Sequence, residues 1–209
     1  IYLLNILYQF PKKGGNWSNR VKLLLAGEGR WITANVNRKY SGTLPISEIN
    51  FLDDVPWRDK MIKSLESNYN KHLYFEEIMD TIKPLILNNE SNIAKYNISA
   101  ILKISEILGV NKNKFLLSSE LFSVGDSNEM LCDLTKKAGC NIYIRGGGAD
   151  EYQDDDYFLN NGVLVEYQNF KENYYLQNNI KEFIPGLSVI DAAMNLGWKD
   201  LEKLLKKNN

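Results

Sequence analysis

The chain has 209 residues, 44% hydrophobic and 24% charged, an ordinary composition for one globular domain with a core of its own. Lys and Arg total 25 against 26 Asp and Glu, a net charge of -1, so the basic excess of a dedicated nucleic-acid binder is absent. No apolar run approaches the ~18 residues of a membrane helix, and the two cysteines (Cys132, Cys140) with the single His72 are too few for a disulfide framework or a structural zinc site.

Residues 1–10 are apolar but carry no charged leader or cleavage site. They read as a buried strand rather than a secretory signal, ended by Pro11 and Gly14-Gly15. Free cysteines in a chain of this composition predict a cytoplasmic location. The runs 21–26 and 30–36 flank Gly27-Glu28-Gly29, which predicts a β-hairpin. Residues 37–56 read as loop, with a short strand near Ile49. Trp57, Met61, Ile62, Leu65 and Tyr69 have helical spacing behind Pro56, predicting a helix over 57–70. A second helix is expected over 75–87, kinked or restarted at Pro84, and a third over 92–108, apolar nearly all round and so well buried, closed by Gly109.

From residue 113 onward strand and helix alternate over short connections. Residues 113–119 are strand-like, and Asp126 or Ser127 caps a helix that Gly139 closes. Residues 140–148 form a strand running into glycines, 154–161 a short helix and 163–170 another strand. Alternation of this kind predicts a partly parallel sheet with helices on its faces. Two amphipathic helical stretches, 188–196 and 198–207, end the chain. The fold class expected is α/β, layered α/β/α, as one domain over 1–209 with a helical insertion at about 57–109.

The sharpest chemical feature is Gly146-Gly147-Gly148 directly after a strand ending in Arg145. Backbone N–H groups there can face a phosphate or carboxylate, and strand carboxyl ends are where open α/β sheets place ligands. The plainer reading is a tight turn, since neither the Walker nor the dinucleotide spacing is present. Asp150 and Glu151 follow the glycines closely, whereas Asp154 to Asp156 read as a solvated helix start. Lys12, Lys13, Asn16, Trp17, Asn19 and Arg20 make a loop with a flat apolar face among donors, suited to a sugar or phosphorylated ligand. Ser188, with Asp191 three residues on, reads first as a capping box. His72 has no partner for catalysis nearby in sequence, and Cys132 and Cys140 read as core.

In order along the chain, a set of short pieces carries a resemblance. They are Gln9-Phe10 with Asn16-Trp17-Ser18-Asn19-Arg20, Arg30-Trp31-Ile32-Thr33, Trp57-Arg58, Tyr74-Phe75-Glu76-Glu77, and Ser118-Ser119-Glu120-Leu121. Tyr143-Ile144 with the glycines, Tyr152, Tyr167-Gln168, and the run Phe183-Ile184-Pro185-Gly186-Leu187-Ser188 through Asp191, Asn195 and Gly197 complete it. Together they resemble the WbqC-like protein family of bacteria. Members are associated with O-antigen and other surface-glycan loci, and some are described as transferases of glycine or another amino acid onto an amino sugar. Family members usually open with a strand carrying His-Gln-Pro; this sequence starts at Ile1, and Leu4-Asn5-Ile6-Leu7-Tyr8 stands where an acidic pair is usual. The chain therefore reads as a fragment or an inactive relative.

The resemblance implies amide-bond formation on a nucleotide-linked amino sugar, a small-molecule partner, with a nucleotide or an activated amino acid as the accompanying group and no metal. Asp191 and Asp150 are the expected bases. Trp17, Asn19, Arg20, Arg145, Gly146, Gly147, Gly148, Tyr152 and Ser188 are the expected substrate contacts. The rival reading is a non-catalytic nucleotide-sugar-binding module or scaffold of a glycan pathway. A third, nucleotidyl transfer, would need a carboxylate cluster for a metal or a basic pair beside the glycines.

Overall fold

A computed structural model describes residues 1–4, 9–11, 17–52, 54–146, 154–178 and 180–206. In chain order the elements are β1 (Tyr2–Leu4), β2 (Arg20–Leu25), β3 (Glu28–Thr33), α1 (Trp57–Tyr69), α2 (Phe75–Ile86), α3 (Ile93–Ile107), β4 (Phe115–Leu117), α4 (Ser127–Lys137), β5 (Ile142–Arg145), α5 (Asp155–Asn160), β6 (Leu164–Tyr167) and α6 (Val189–Lys206). They fall into two units: Ile1–Leu7 with Asn113–Lys171, and Tyr8–Lys112 with Glu172–Asn209.

In the first unit β1 pairs in parallel with β4, and β5 pairs in parallel with β6 in the register Ile142↔Leu164 to Arg145↔Tyr167. The β5–α5–β6 segment is a short βαβ crossover, and α4 and α5 close its core around Cys132, Phe158 and Val163. Paired parallel strands with helices make this an α/β fold, as the alternation predicts. The first strand departs from expectation. Among the described residues only Tyr2–Leu4 pair as a strand, and Tyr2 is 50% exposed. A single partner strand covers one edge and leaves the apolar side chains half in water.

The second unit holds the larger core. The β2–β3 hairpin turns on Ala26 (φ 51) and Gly27 (φ 81), two residues between the paired Leu25 and Glu28. Both central residues have positive φ, as a twist-matched hairpin turn requires. The turn thus lies one residue earlier than expected, and Gly29 is inside β3. Helix α1 buries Trp57, Met61, Ile62, Leu65 and Tyr69, the stripe its spacing predicts. Helix α2 buries Ile78, Met79, Ile82 and Ile86, and runs through Pro84. Proline in the last turn removes only the bond to the carbonyl four residues back, and packing holds the rest.

Helix α3 begins at Asn92, whose side chain accepts from Lys95 N at 3.1 Å, and ends at Gly109 with Val110 N bonded to Ser105 O at 2.9 Å. It is less buried than expected: only Ile93 and Ala94 are fully covered, and Ile101 is 42% exposed. An all-round apolar helix packed along one stripe leaves its other faces half-covered. Helix α6 is two helical segments joined at Gly197, which adopts φ 72 and ψ 163. A Cβ there would lie 2.8 Å from the Tyr74 ring, so both the backbone and the packing require glycine.

Candidate functional site

Asn19 and Arg20 enter β2 from the loop behind Trp17, and Ser188 opens α6. The fold of the second unit brings these residues to one cavity of about 240 Å³, lined also by Phe51, Trp57, Tyr96, Asn97 and Ile190. Trp17 stands 70% exposed and meets Trp31 edge to face at 4.9 Å. The Arg20 guanidinium lies 4.1 Å from the centre of the Trp31 ring. One wall is aromatic: Phe51, Trp57 and Tyr96 pack with centroids 4.7 to 5.7 Å apart. Met61, Ile82 and Ile86 add aliphatic surface to the same lining. A larger hollow of about 650 Å³ on the α1–α2 face mixes the charged Glu66, Glu76, Asp80 and Lys83 with the apolar Phe75, Met79, Pro84 and Leu87.

The polar atoms of the 240 Å³ cavity are not all satisfied internally. Asn19 is 95% removed from solvent (5% exposed), and its Nδ2 donates to Ala34 O at 3.0 Å. Its Oδ1 is buried without a hydrogen-bond partner among the described residues, as are Trp57 Nε1 and Arg20 Nε. Asn97 Nδ2 donates to Ser18 O at 2.8 Å. The Tyr96 phenol, which donates to Ile86 O at 3.3 Å, is pushed up to about 12 by burial, with the Arg58 charge working against the rise.

Beyond this cavity, Ser188 and Asp191 have clear local work. Ser188 Oγ accepts from Ile190 N at 3.3 Å, and Ser188 N donates to Lys22 O at 2.8 Å, so the residue both caps α6 and docks it on β2. The reciprocal half of the expected capping box does not form with Asp191. Its carboxylate has no exposure and accepts instead from Tyr69 OH and Tyr175 OH, each at 2.7 Å. Tyr69 OH in turn accepts from Leu24 N at 2.9 Å, and Asn195 Nδ2 donates to Asp191 O at 2.8 Å. Burial raises the Asp191 carboxyl above its usual value, against the two phenol hydrogen bonds and nearby His72. Burial also pushes both phenols well above 10, keeping them protonated donors. His72 Nδ1 lies 3.1 Å from Tyr69 O, and burial lowers its pKa against that contact and the Asp191 charge.

In the first unit Arg145 is buried, paired through Nη1 with Asp155 Oδ1 at 3.0 Å, and its guanidinium sits 4.3 Å from the Tyr167 ring centre. Arg145 also donates to Tyr167 OH, which donates to Asp155 Oδ2 at 2.6 Å. Asp155, read as solvated, is therefore the counter-ion of Arg145, while Asp154 caps α5 by accepting from Tyr157 N at 3.2 Å. Gly146 follows the strand, and the space its Cβ would take is open. Gly147, Gly148, Asp150 and Tyr152 lie outside the described residues, as do Lys12, Lys13 and Asn16. Among the described residues no cluster of His, Cys, Asp or Glu could hold a metal ion, and no helix is long and apolar enough to cross a membrane.

Trp57, which heads a predicted helix and belongs to the resemblance, and Tyr96 and Asn97, which fall within another predicted helix, also line the cavity. Asn97 carried a signal: it occupies the apolar stripe Ile93, Asn97, Ala100 and Ile104, where a poor helix former has no local reason to stand.

Comparison with known proteins gives a relative and a family. The uncharacterized protein Rv1507c of Mycobacterium tuberculosis (strain ATCC 25618 / H37Rv) is 26% identical over 194 residues, covering 90% of this chain and 80% of that protein. No solved structure matches the chain. Residues 6–203 match the WbqC-like protein family, and the chain belongs to that family.

Proposed function

We propose that the chain is a transferase that joins glycine or another amino acid, through an amide bond, to the amine of a nucleotide-linked sugar in bacterial surface-polysaccharide synthesis. The supporting observation is the cavity that gathers Trp17, Asn19, Arg20 and Ser188 around unpaired polar atoms. In this reading the sugar amine attacks the activated acyl carbon, a C–N bond forms, and the leaving group departs with its electron pair. A base takes the amine proton, and N–H donors steady the oxyanion. Asp191, enclosed by two tyrosines, braces the cavity wall at Ser188–Ile190. Asp150, outside the described residues, is proposed separately as the base, with no placement relative to this cavity. The Gly146–Gly148 stretch is proposed separately to hold a phosphate, which Gly147→Val tests by loss of nucleotide-sugar binding with the fold retained.

The test incubates the full chain with nucleotide-linked amino sugars and activated amino acids and follows the sugar by mass spectrometry. The reading expects a mass gain of one aminoacyl residue. Binding of the sugar nucleotide without that gain overturns it in favour of a non-catalytic binding module. That second reading has its own support: among the described residues no carboxylate lines the cavity, and Asp191, next in sequence to Ile190, has both oxygens already occupied.

A further inference from the structure

We infer that the cavity of the second unit holds the side chain of the transferred amino acid, and that this side chain is apolar and of leucine-to-phenylalanine size rather than glycine. The inference rests on the transferase reading and names its acyl substrate class.

Three observations carry it. The cavity volume is about 240 Å³, against the roughly 150 Å³ of an engineered dry cavity that takes benzene. A branched aliphatic or phenyl group with its adjoining backbone fills such a space, whereas glycine leaves most of it empty. Next, the walls are mostly apolar, built of aromatic and aliphatic side chains. A sugar, with a hydroxyl on nearly every carbon, would lose water there without replacement partners. Finally, of the three buried polar atoms on lining residues that have no partner among the described residues, one is an acceptor, Asn19 Oδ1, and one a donor in a residue nearly free of solvent, Trp57 Nε1, on residues 5% and 3% exposed, the third being Arg20 Nε. That pair complements the N–H and C=O of an amino-acid unit. A buried acceptor and donor left unmet are costly, and a ligand that meets both gains selectivity over one that does not. Arg20 lines the same cavity and supplies positive charge for an anionic activating group.

The experiment titrates the full chain calorimetrically with N-acetyl-L-leucinamide, N-acetyl-L-phenylalaninamide and N-acetylglycinamide, which share a backbone and differ in side chain. The leucine or phenylalanine probe is expected to bind at least tenfold more tightly than the glycine probe. Ala100→Phe, which fills the cavity, is expected to abolish that binding. Should this variant not fold, Trp57→Phe keeps the ring and removes the donor, and is expected to weaken binding about tenfold. Equal affinity for all three probes, no binding of any, or binding untouched by the variants overturns the inference. Side-chain-selective binding with no aminoacyl transfer sustains the cavity assignment and sinks the transferase reading. Transfer of glycine with no side-chain preference in binding does the reverse.

Discussion

Two polar clusters of the second unit share the start of α6, and they are built on opposite terms. Around Asp191 every carboxylate oxygen is met: two phenols donate to it, one phenol also accepts a strand N–H, and Asn195 closes the backbone side. On the residues lining the cavity an amide oxygen, an indole N–H and a guanidinium N–H are buried with no partner among the described residues. A saturated buried network fixes structure, while an unsaturated one beside open space is where a ligand can repay the desolvation. The difference separates a brace from the binding site proposed for the cavity.

The comparison breaks most visibly at Asp191. Asp191→Ala strips the acceptor from two buried phenols, and each unmet group costs roughly 1–3 kcal/mol. The variant is expected to lose about 2–5 kcal/mol in denaturant unfolding, and a loss under 1 kcal/mol would mean that the network is not a brace. Gly197→Ala comes next. It forces a side chain into a conformation nearly confined to glycine and onto the Tyr74 ring, for an expected loss of about 2–3 kcal/mol. An unchanged melting temperature would contradict the packing described.

pH sharpens the contrast. The Asp191 carboxyl has its pKa raised above 3.8 in the folded state, so the folded protein binds the proton more tightly than the unfolded chain. Its contribution to stability is therefore greatest below 3.8 and declines as pH rises through the folded value. His72, lowered from 6.5, acts the other way: stability rises with pH up to that range. Asp191→Asn is expected to remove the first slope and keep the second, and retention of both slopes would assign the acid-side change elsewhere. The smallest effect is at the cap. Ser188→Ala removes the bond from Ile190 N and should cost about 1 kcal/mol by thermal unfolding, with an unshifted curve counting against the cap.

Much of the fold was legible because it is local. The α1 stripe, the helix starts at Asn92 and Asp154 and the glycine helix ends depend on neighbours within a few residues. The hairpin turn slipped because Ala26 gives no sign that it will take positive φ. The α3 surface misled because apolar spacing tells what can be buried, and not how many partners arrive. At the site, Trp17, Asn19 and Arg20 stood out as an aromatic among donors, and the structure gathers them with Ser188. The Asp191 brace did not stand out, since Tyr69 bonds it across 122 residues of chain and reads in sequence as one more core aromatic. Trp57 was hidden in the same way, its ring completing a helical stripe while its N–H faced no partner.

The most direct measurement follows the indole N–H resonances of the 15N-labelled chain during titration with N-acetyl-L-leucinamide. Four tryptophans give the signals, assigned by single Trp→Phe variants, and Trp198, away from the cavity lining, serves as the internal control. A saturable shift of the Trp57 signal with Trp198 unmoved is the predicted result. A Trp57 signal that stays fixed, or moves no more than that of Trp198, would contradict the placement of the ligand in this cavity.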